Sequence, residues 1–292
     1  MKFVALCVAD NMVKLQPDEI KVLTQYIYSL CAIHLDESKA YLLESRLSGL
    51  LTETGCASYS ELYFKAKSDA TKKLPRKIVD AITTNETSFF RDSAPFELLQ
   101  HKILPELIDR RSKPVKPSQI PIRIWSAACS TGQEIYTIGI VLKELLGNLA
   151  AYNIRLMGTD ISDQAVAKAS YGIYNKVEIE RGLPADRIGK YFTTADNGWK
   201  IKDEIRAMAT FRQINLMDDF SSLGRFDIIF CRNVAIYFNE ADKTRLFARL
   251  GKQLETDGAL VIGSTESLAG ICPQFESKRY LRSVFYQHKT GA

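Results

Sequence analysis

Glu134 follows a run of small residues, Ala127-Ala128-Cys129-Ser130-Thr131-Gly132, and Asp160 ends a separate apolar run, Ile154-Arg155-Leu156-Met157-Gly158-Thr159. A carboxylate directly after a tight turn repels an anion and attracts an ammonium group. The alternative for Glu134 taken alone is that it only complements a helix dipole. The turn has one glycine, with neither GxGxxG nor GK[ST], so the phosphate-binding forms of this geometry are disfavoured. An acid at the end of the second strand of an open α/β sheet is placed to accept from two ribose hydroxyls. A carboxylate for an amine and a carboxylate for a ribose together describe a nucleoside that carries an amino acid, S-adenosylmethionine.

The elements that must position these acids are legible in the apolar pattern. Ile122, Ile124 and Trp125 form a short strand-like run before the small residues. Ile135, Ile138, Ile140, Val141, Leu142 and Leu145 then follow a helical period. Strand, small-residue turn and helix form the unit by which such sheets hold a ligand at their strand ends.

Upstream, Pro17-Asp18 starts a helical region that continues to about residue 82, with stripes at Ile20, Leu23, Ile27 and Leu30, at Leu42, Leu43, Leu47, Leu50 and Leu51, and at Tyr59, Leu62, Tyr63 and Phe64. Lys65, Lys67, Lys72, Lys73, Arg76 and Lys77 face a single acid, Asp69, and make either a solvated face or a docking surface for an acidic partner. The segment Thr84-Asn85-Glu86-Thr87-Ser88-Phe89-Phe90-Arg91-Asp92 reads as a helix start capped by Asn85 or Thr87, or as something more specific. Leu98, Leu99, Ile103, Leu104 and Leu107 build a helix, and residues 110–121, with three prolines, form a linker. Gly258 marks a turn before the strand Leu260-Val261-Ile262.

Composition sets bounds. The chain has 292 residues, 46% of them hydrophobic, and a net charge of +5. Residues 1–120 carry 17 basic and 15 acidic side chains, and the remainder 22 and 19, so neither half has the basic excess of a nucleic-acid binder. Six cysteines form no CxxC pair or Cys/His cluster, which predicts reduced thiols and no metal site. No apolar run nears the ~20 residues of a membrane span, and the N-terminus lacks a signal-peptide pattern. The expectation is a cytoplasmic protein without direct membrane insertion, and a monomer, since no heptad or exposed apolar stripe is present.

TNETSFFRD at 84–92 and WSAACSTGQEIYT at 125–137, with Cys231-Arg232-Asn233-Val234-Ala235-Ile236-Tyr237-Phe238 and Gly263-Ser264-Thr265-Glu266-Ser267-Leu268, resemble the chemoreceptor glutamate methyltransferases, the CheR family. The resemblance spans roughly residues 17–288. It implies a Rossmann-like α/β S-adenosylmethionine methyltransferase domain at 122–292 with an inserted antiparallel β subdomain at about 177–204. Before it would come an N-terminal extension at 1–16, a helical domain at 17–84, and a motif helix and linker at 85–121. The implied cofactor residues are Asn85, Thr87, Arg91, Glu134, Asp160, Asn215, Leu216, Arg232 and Asn233. Arg91 and Tyr237 are the implied catalytic pair, and the implied acceptor is a glutamate in the cytoplasmic helical region of a membrane chemoreceptor.

That acceptor agrees with the inventory. A glutamate, with a reference pKa of ~4.3, is already nucleophilic at neutral pH and needs no general base. None of the three histidines falls in a motif. The inserted hairpin around Asp196-Asn197-Gly198 is short, which resembles the members that act without gripping a receptor tail peptide. In Leu43 to Leu50 only Arg46 remains where such proteins often carry several receptor-facing arginines. The competing readings are a methyltransferase acting on RNA or a small molecule, and an S-adenosylmethionine-binding module without turnover.

Overall fold

Apolar residues recurring every three to four positions make the first part of the chain all helical: α1 (Pro17–Cys31), α2 (Ala40–Thr54), α3 (Tyr59–Ser68) and α4 (Lys73–Ile82). The computed structural model describes residues 13–112, 119–196 and 198–289, and the chain divides into two compact units at Thr83–Thr84. Leu23, Ile27, Leu43, Leu47, Tyr59, Leu62 and Ile78 are buried in the first unit. Glu19 closes a capping box on α1 and also accepts from the Ser60 amide at 2.8 Å, tying α1 to α3. Phe64 does not join the stripe assigned to it; it is 65% exposed, because it lies on the face of α3 opposite the buried Leu62 and Ala66. Arg46 donates to the carbonyls of Ala81, Ile82 and Thr83 and so closes the C-terminus of α4, where orphan carbonyls need donors. Lys65 donates to the Thr54 carbonyl, Lys67 to the Tyr63 hydroxyl, and Lys77 pairs with Glu53.

The second unit is built on a seven-stranded sheet. Its strands are β1 (Ile120–Ala127), β2 (Tyr152–Asp160), β6 (Ala209–Gln213), β7 (Phe226–Cys231), β8 (Leu254–Ile262), β9 (Phe275–Tyr280) and β10 (Ser283–His288), in the order β6-β2-β1-β7-β8-β10-β9. The first five in that order run parallel, and the hairpin β9–β10 adds antiparallel to β8. The central strands are mostly apolar because helices cover the sheet. These include α7 (Gln133–Leu146), α8 (Asp163–Tyr171) and α12 (Glu240–Gln253). Strand order reverses at β1, which pairs with β2 on one side and β7 on the other, and this opens a crevice at the carboxyl ends. This is the Rossmann-like α/β class expected from the sequence.

A three-stranded antiparallel sheet, β3 (Ile173–Tyr174), β4 (Phe192–Ala195) and β5 (Gly198–Ile201) in the order β3-β5-β4, is inserted with α9 (Lys176–Glu180) and α10 (Ala185–Tyr191); α11 (Asp203–Arg206) follows. The two-residue β3 is too short to leave a sequence pattern. Asn197, in the expected hairpin turn, lies outside the described residues.

Three local expectations change. Residues 84–92 form no helix, so neither Asn85 nor Thr87 is a cap; α5 (Ser93–Leu98) begins only after Asp92, whose φ is +54°. A π turn, Leu99–Ile103, then leads into α6 (Leu104–Ser112), and the Leu104 amide donates to the Leu99 carbonyl five residues back. The linker assigned to 110–121 is therefore shorter: Arg110–Ser112 belong to α6 and Ile120–Pro121 to β1, while 113–118 lie outside the described residues. Gly258 lies inside β8, at a register irregularity opposite Phe226–Ile228. A Cβ there would come within 2.9 Å of the Asp227 carbonyl, so the glycine permits close strand approach.

Among the described residues no helix is long and apolar enough to cross a membrane. At the amino end of the sheet Asp227, with a fully buried side chain, accepts from the Arg123 amide at 2.7 Å and from the Arg111 guanidinium at 2.7 Å, joining β7 to β1 and α6. Replacing Asp227 with Ala strands these donors and should lower the stability of the second unit by about 3 kcal/mol. Both tryptophans, Trp125 and Trp199, lie in that unit, so urea unfolding followed by tryptophan fluorescence reads the loss directly.

Candidate active site

β1 ends in a turn that a chain of ordinary residues would resist. Ala128, Ser130 and Gly132 have φ of +63°, +50° and +94°, two of them without the freedom of glycine. The turn is held from the end of the neighbouring strand β2. The Cys129 amide donates to the Thr159 carbonyl at 2.8 Å, and the Ser130 amide donates to Asp160 Oδ2 at 2.8 Å. Asp160, 6% exposed, also accepts from the Ser162 amide at 3.0 Å through Oδ1, which fixes the carboxylate plane at the end of β2. Trp125, buried in β1, donates its indole N–H to Thr159 Oγ1 at 2.9 Å and locks the two strands together just below the turn.

Glu134, the second residue of α7, has a side chain 13% exposed. Its Oε1 accepts from the Ser126 hydroxyl at 2.7 Å and its Oε2 from Arg232 Nη1 at 2.8 Å. A carboxylate has about four acceptor positions, and these bonds use two. Burial first, then the nearby Asp160 and Glu134 charges, push the Cys129 thiol well above its ordinary range. Cys231 behaves alike, through burial and then Glu266 and Glu134. Both thiols stay neutral in the crevice.

The 84–92 segment crosses this region as an irregular strap. The Ser130 hydroxyl donates to the Asn85 carbonyl at 3.0 Å, and the Phe90 amide, at φ +50°, donates to the Thr137 hydroxyl of α7 at 3.1 Å. Phe89 is wholly buried, edge-on to Tyr174 at 5.0 Å and to Phe192 at 5.4 Å in the inserted sheet. The Phe90 ring carries the Arg187 guanidinium at 4.2 Å. Gly182, at φ +96°, is pressed so close that a Cβ would sit 1.9 Å from the Phe89 carbonyl oxygen. The inserted subdomain thus fixes the strap that carries Arg91. Arg91 itself donates to the Glu86 carbonyl at 2.9 Å and is partly exposed. The Glu86 carboxyl is held below its usual range by Arg181, with Arg91 adding to the effect.

Arg232, at the end of β7, joins these parts. Its side chain is 2% exposed. Nη1 reaches Glu134, and Nη2 donates to the Arg91 carbonyl at 2.8 Å and to Asp92 at 3.0 Å. The next residue, Asn233, takes φ +57°, and its amide donates to Glu266 at 2.9 Å. Glu266 also accepts from the amides of Ala235 at 3.0 Å and Gly263 at 2.7 Å, so one carboxylate organises the loops after β7 and β8.

The hydrogen bonds build the network in three parts: Arg232 joins Glu134 to the Arg91 carbonyl, Ser130 joins Asp160 to the Asn85 carbonyl, and Glu266 holds the Asn233 amide. Asn215 and Leu216 follow Ile214, whose amide donates to the Asp160 carbonyl at 2.8 Å; Asn215 Oδ1 accepts from the Met217 amide and Leu216 is buried. Thr87 is partly buried and stands apart from the network, and the Tyr237 hydroxyl, on a partly buried 3-10 turn, has no hydrogen-bond partner among the described residues. Sequence reasoning gave no role to Ser126, Arg187, Gly182 or Glu266. Glu266 had a signal, since it lies in one of the quoted motifs, but its caging of three amides requires the fold.

Comparison with known proteins matches residues 85–282 to the profile described as CheR methyltransferase, SAM binding domain, and residues 18–83 to CheR methyltransferase, all-alpha domain. The chain is 38% identical to chemotaxis protein methyltransferase Cher2 of Pseudomonas putida, over 90% of this chain and 95% of that protein. It is 36% identical to a chemotaxis protein methyltransferase of Vibrio parahaemolyticus, over 95% and 99%. Chemotaxis protein methyltransferase 1 of Pseudomonas aeruginosa is 36% identical over 90% and 95%.

Replacing Glu266 with Gln removes the charge that three amides share and introduces a donor where acceptors are needed. The expected result is a loss of about 2 kcal/mol and faster hydrogen exchange at Asn233, Ala235 and Gly263. Unchanged exchange at these amides would show that the loops hold their form without the carboxylate.

Proposed function

The chain belongs to the CheR methyltransferase family, and from that membership we propose that it transfers a methyl group from S-adenosylmethionine to glutamate side chains in the cytoplasmic helical region of chemoreceptors, in sensory adaptation. The observation that carries the reading is the Arg232 junction, which binds Glu134 with one nitrogen and the Arg91 carbonyl with the other. It couples the acid suited to an amino group to the residue suited to an acceptor carboxylate.

The charges present suit this cofactor. Arg232 is neutralised by Glu134 and Asp92, so it is not left as an unpaired cation for a phosphate. Glu134 has acceptor capacity for an ammonium group beyond its two bonds, and Asp160 is oriented toward the turn where a ribose would present its hydroxyls. Asn85, Thr87, Asn215, Leu216 and Asn233 would complete the walls of the cofactor site, with Leu216 supplying an apolar face for the adenine. When bound, S-adenosylmethionine supplies an electrophilic methyl group on a sulfonium.

The protein's part is alignment and exclusion of water. Methyl transfer to a carboxylate is an in-line displacement that neutralises opposite charges, so a dry site favours it. Arg91, anchored through its own backbone by Arg232, orients the acceptor carboxylate by a charge-assisted bond. A full bidentate clamp would weaken the nucleophile, and the bond from Arg91 to the Glu86 carbonyl restrains the side chain from forming one. Tyr237, with its hydroxyl uncommitted, holds the same group from the other side. The short β4–β5 connection, from Ala195 to Gly198, supports action independent of a receptor tail peptide. The protein acts as a monomer in this reading.

The test is transfer from methyl-labelled S-adenosylmethionine to membranes bearing chemoreceptors. Wild-type protein should leave label that mild base releases, as a carboxyl ester requires. Arg91→Ala should cut kcat by about 100-fold, and Tyr237→Phe by about 10-fold with cofactor affinity preserved. Asp160→Ala should weaken cofactor binding by at least about 10-fold. Base-stable label, or cofactor binding with no label on any receptor, would defeat the proposal. A receptor lacking its C-terminal tail should be labelled as well as the intact one.

A further inference from the structure

Arg187, on α10 of the inserted subdomain, has no part in the preceding reading, yet its guanidinium is closely held. Its Nε and Nη2 donate to Glu144 of α7 at 3.1 Å and 2.9 Å, a bidentate pair whose side chains are 29% and 19% exposed. The Tyr191 hydroxyl donates to the same Glu144 Oε1 at 3.3 Å and fixes the carboxylate in turn. The guanidinium so oriented lies 4.2 Å from the centre of the Phe90 ring.

Phe90 directly precedes Arg91 and takes a strained φ of +50°. Its ring is also edge-on to Phe96 at 5.7 Å, and the ring of Phe96 carries the Arg232 guanidinium at 5.5 Å. Contacts therefore run without a break from Arg187 through Phe90 and Phe96 to the buried charge at the end of β7. The strap's backbone is bonded here at two atoms, the Phe90 amide to Thr137 and the Arg91 carbonyl to Arg232. Two bonds permit rocking about the line that joins them; the Phe90 ring, in contact with Arg187 and Phe96, supplies a third point of restraint. A staple between α10 and α7 needs only two opposite charges. A guanidinium held flat by a carboxylate also offers a plane to a ring, which a lysine ammonium does not.

We propose that Arg187 is a positioning residue for methyl transfer: oriented by Glu144, it seats the Phe90 ring and so sets the direction in which Arg91 meets the acceptor carboxylate. The reaction rests on the function proposed above; the clamp on the strap does not.

Two measurements on the full chain separate the clamp from the reaction. In the transfer assay Arg187→Ala should lower kcat about tenfold, with S-adenosylmethionine affinity within threefold of wild type, since Glu134 and Asp160 keep their own bonds. Arg187→Lys, which keeps the ion pair and loses the plane, should recover less than half of the loss. Phe90→Leu should lower kcat to a similar extent. In the Phe90→Leu or the Arg91→Ala protein, Arg187→Ala should add less than twofold, because each lacks the part through which Arg187 acts. Wild-type kcat in Arg187→Ala, full rescue by Arg187→Lys, or losses that multiply in the double variants overturns the proposal. Should Arg187→Ala fail to fold, Glu144→Gln carries the same test, with kcat about threefold lower expected and wild-type kcat overturning the proposal. Hydrogen exchange needs no acceptor: in Arg187→Ala the Phe90 amide should exchange at least tenfold faster, and the Asn233 amide, held by Glu266, at its wild-type rate. That result with no label on receptors would uphold the clamp and refute the acceptor identity. Unchanged exchange at Phe90 refutes the clamp.

Discussion

Arg232 carries its charge at a buried position, and a lone guanidinium there would be strongly unfavourable. It is tolerated because Glu134, Asp92 and the Arg91 carbonyl surround it, and those partners come from α7 and from the 84–92 strap. Since removal of any partner leaves a buried charge exposed to low dielectric, the end of β7, the start of α7 and the strap must adopt their positions together. The Arg232 Nε is buried and has no hydrogen-bond partner among the described residues, so this dense arrangement leaves one donor unanswered there.

The same dependence is visible in the backbone. Phe90, Asp92, Ala128, Ser130 and Asn233 all take positive φ without being glycine, and all lie around the crevice. Such conformations cost of order 1–3 kcal/mol each and persist only where surroundings over-determine them. Here the restraints can be named: Thr137 holds the amide of Phe90, Arg232 the carboxylate of Asp92, Asp160 the amide of Ser130, and Glu266 the amide of Asn233. Carboxylates thus act first as templates for loops that strands alone would not close. The remainder of the sheet, from the Asp227 cluster to the Trp125–Thr159 bond, keeps those templates at fixed separation.

The fold class was legible because β1, β2 and β8 hold short apolar runs and α7 keeps a helical period. Glu134 and Asp160 stood out because their positions at element ends have a chemical meaning independent of the rest. What stayed hidden depends on contacts across long sequence separations. Gly258 reads as a turn residue, yet it serves a strand irregularity set by Asp227 on β7. The strap resembles a capped helix start, because Asn and Thr favour caps wherever nothing competes; here tertiary bonds from Ser130, Thr137 and Arg232 compete and win. Glu266 could be quoted from its motif, but only the meeting of two loops shows what it holds.

The π turn at Leu99–Ile103 amounts to one surplus residue within an otherwise regular rod. Each residue of an α-helix advances the side chains by about 100° around the axis. Excising one residue there would make the hydrogen-bond ladder regular and, by ordinary helix criteria, improve it. It would also rotate everything downstream by that angle, carrying Leu104 and Leu107 off the core and swinging Arg111 away from Asp227 and Asp257. The irregular turn is a phase adjuster, setting the angular register between the strap at one end of this helical run and the foot of the sheet at the other.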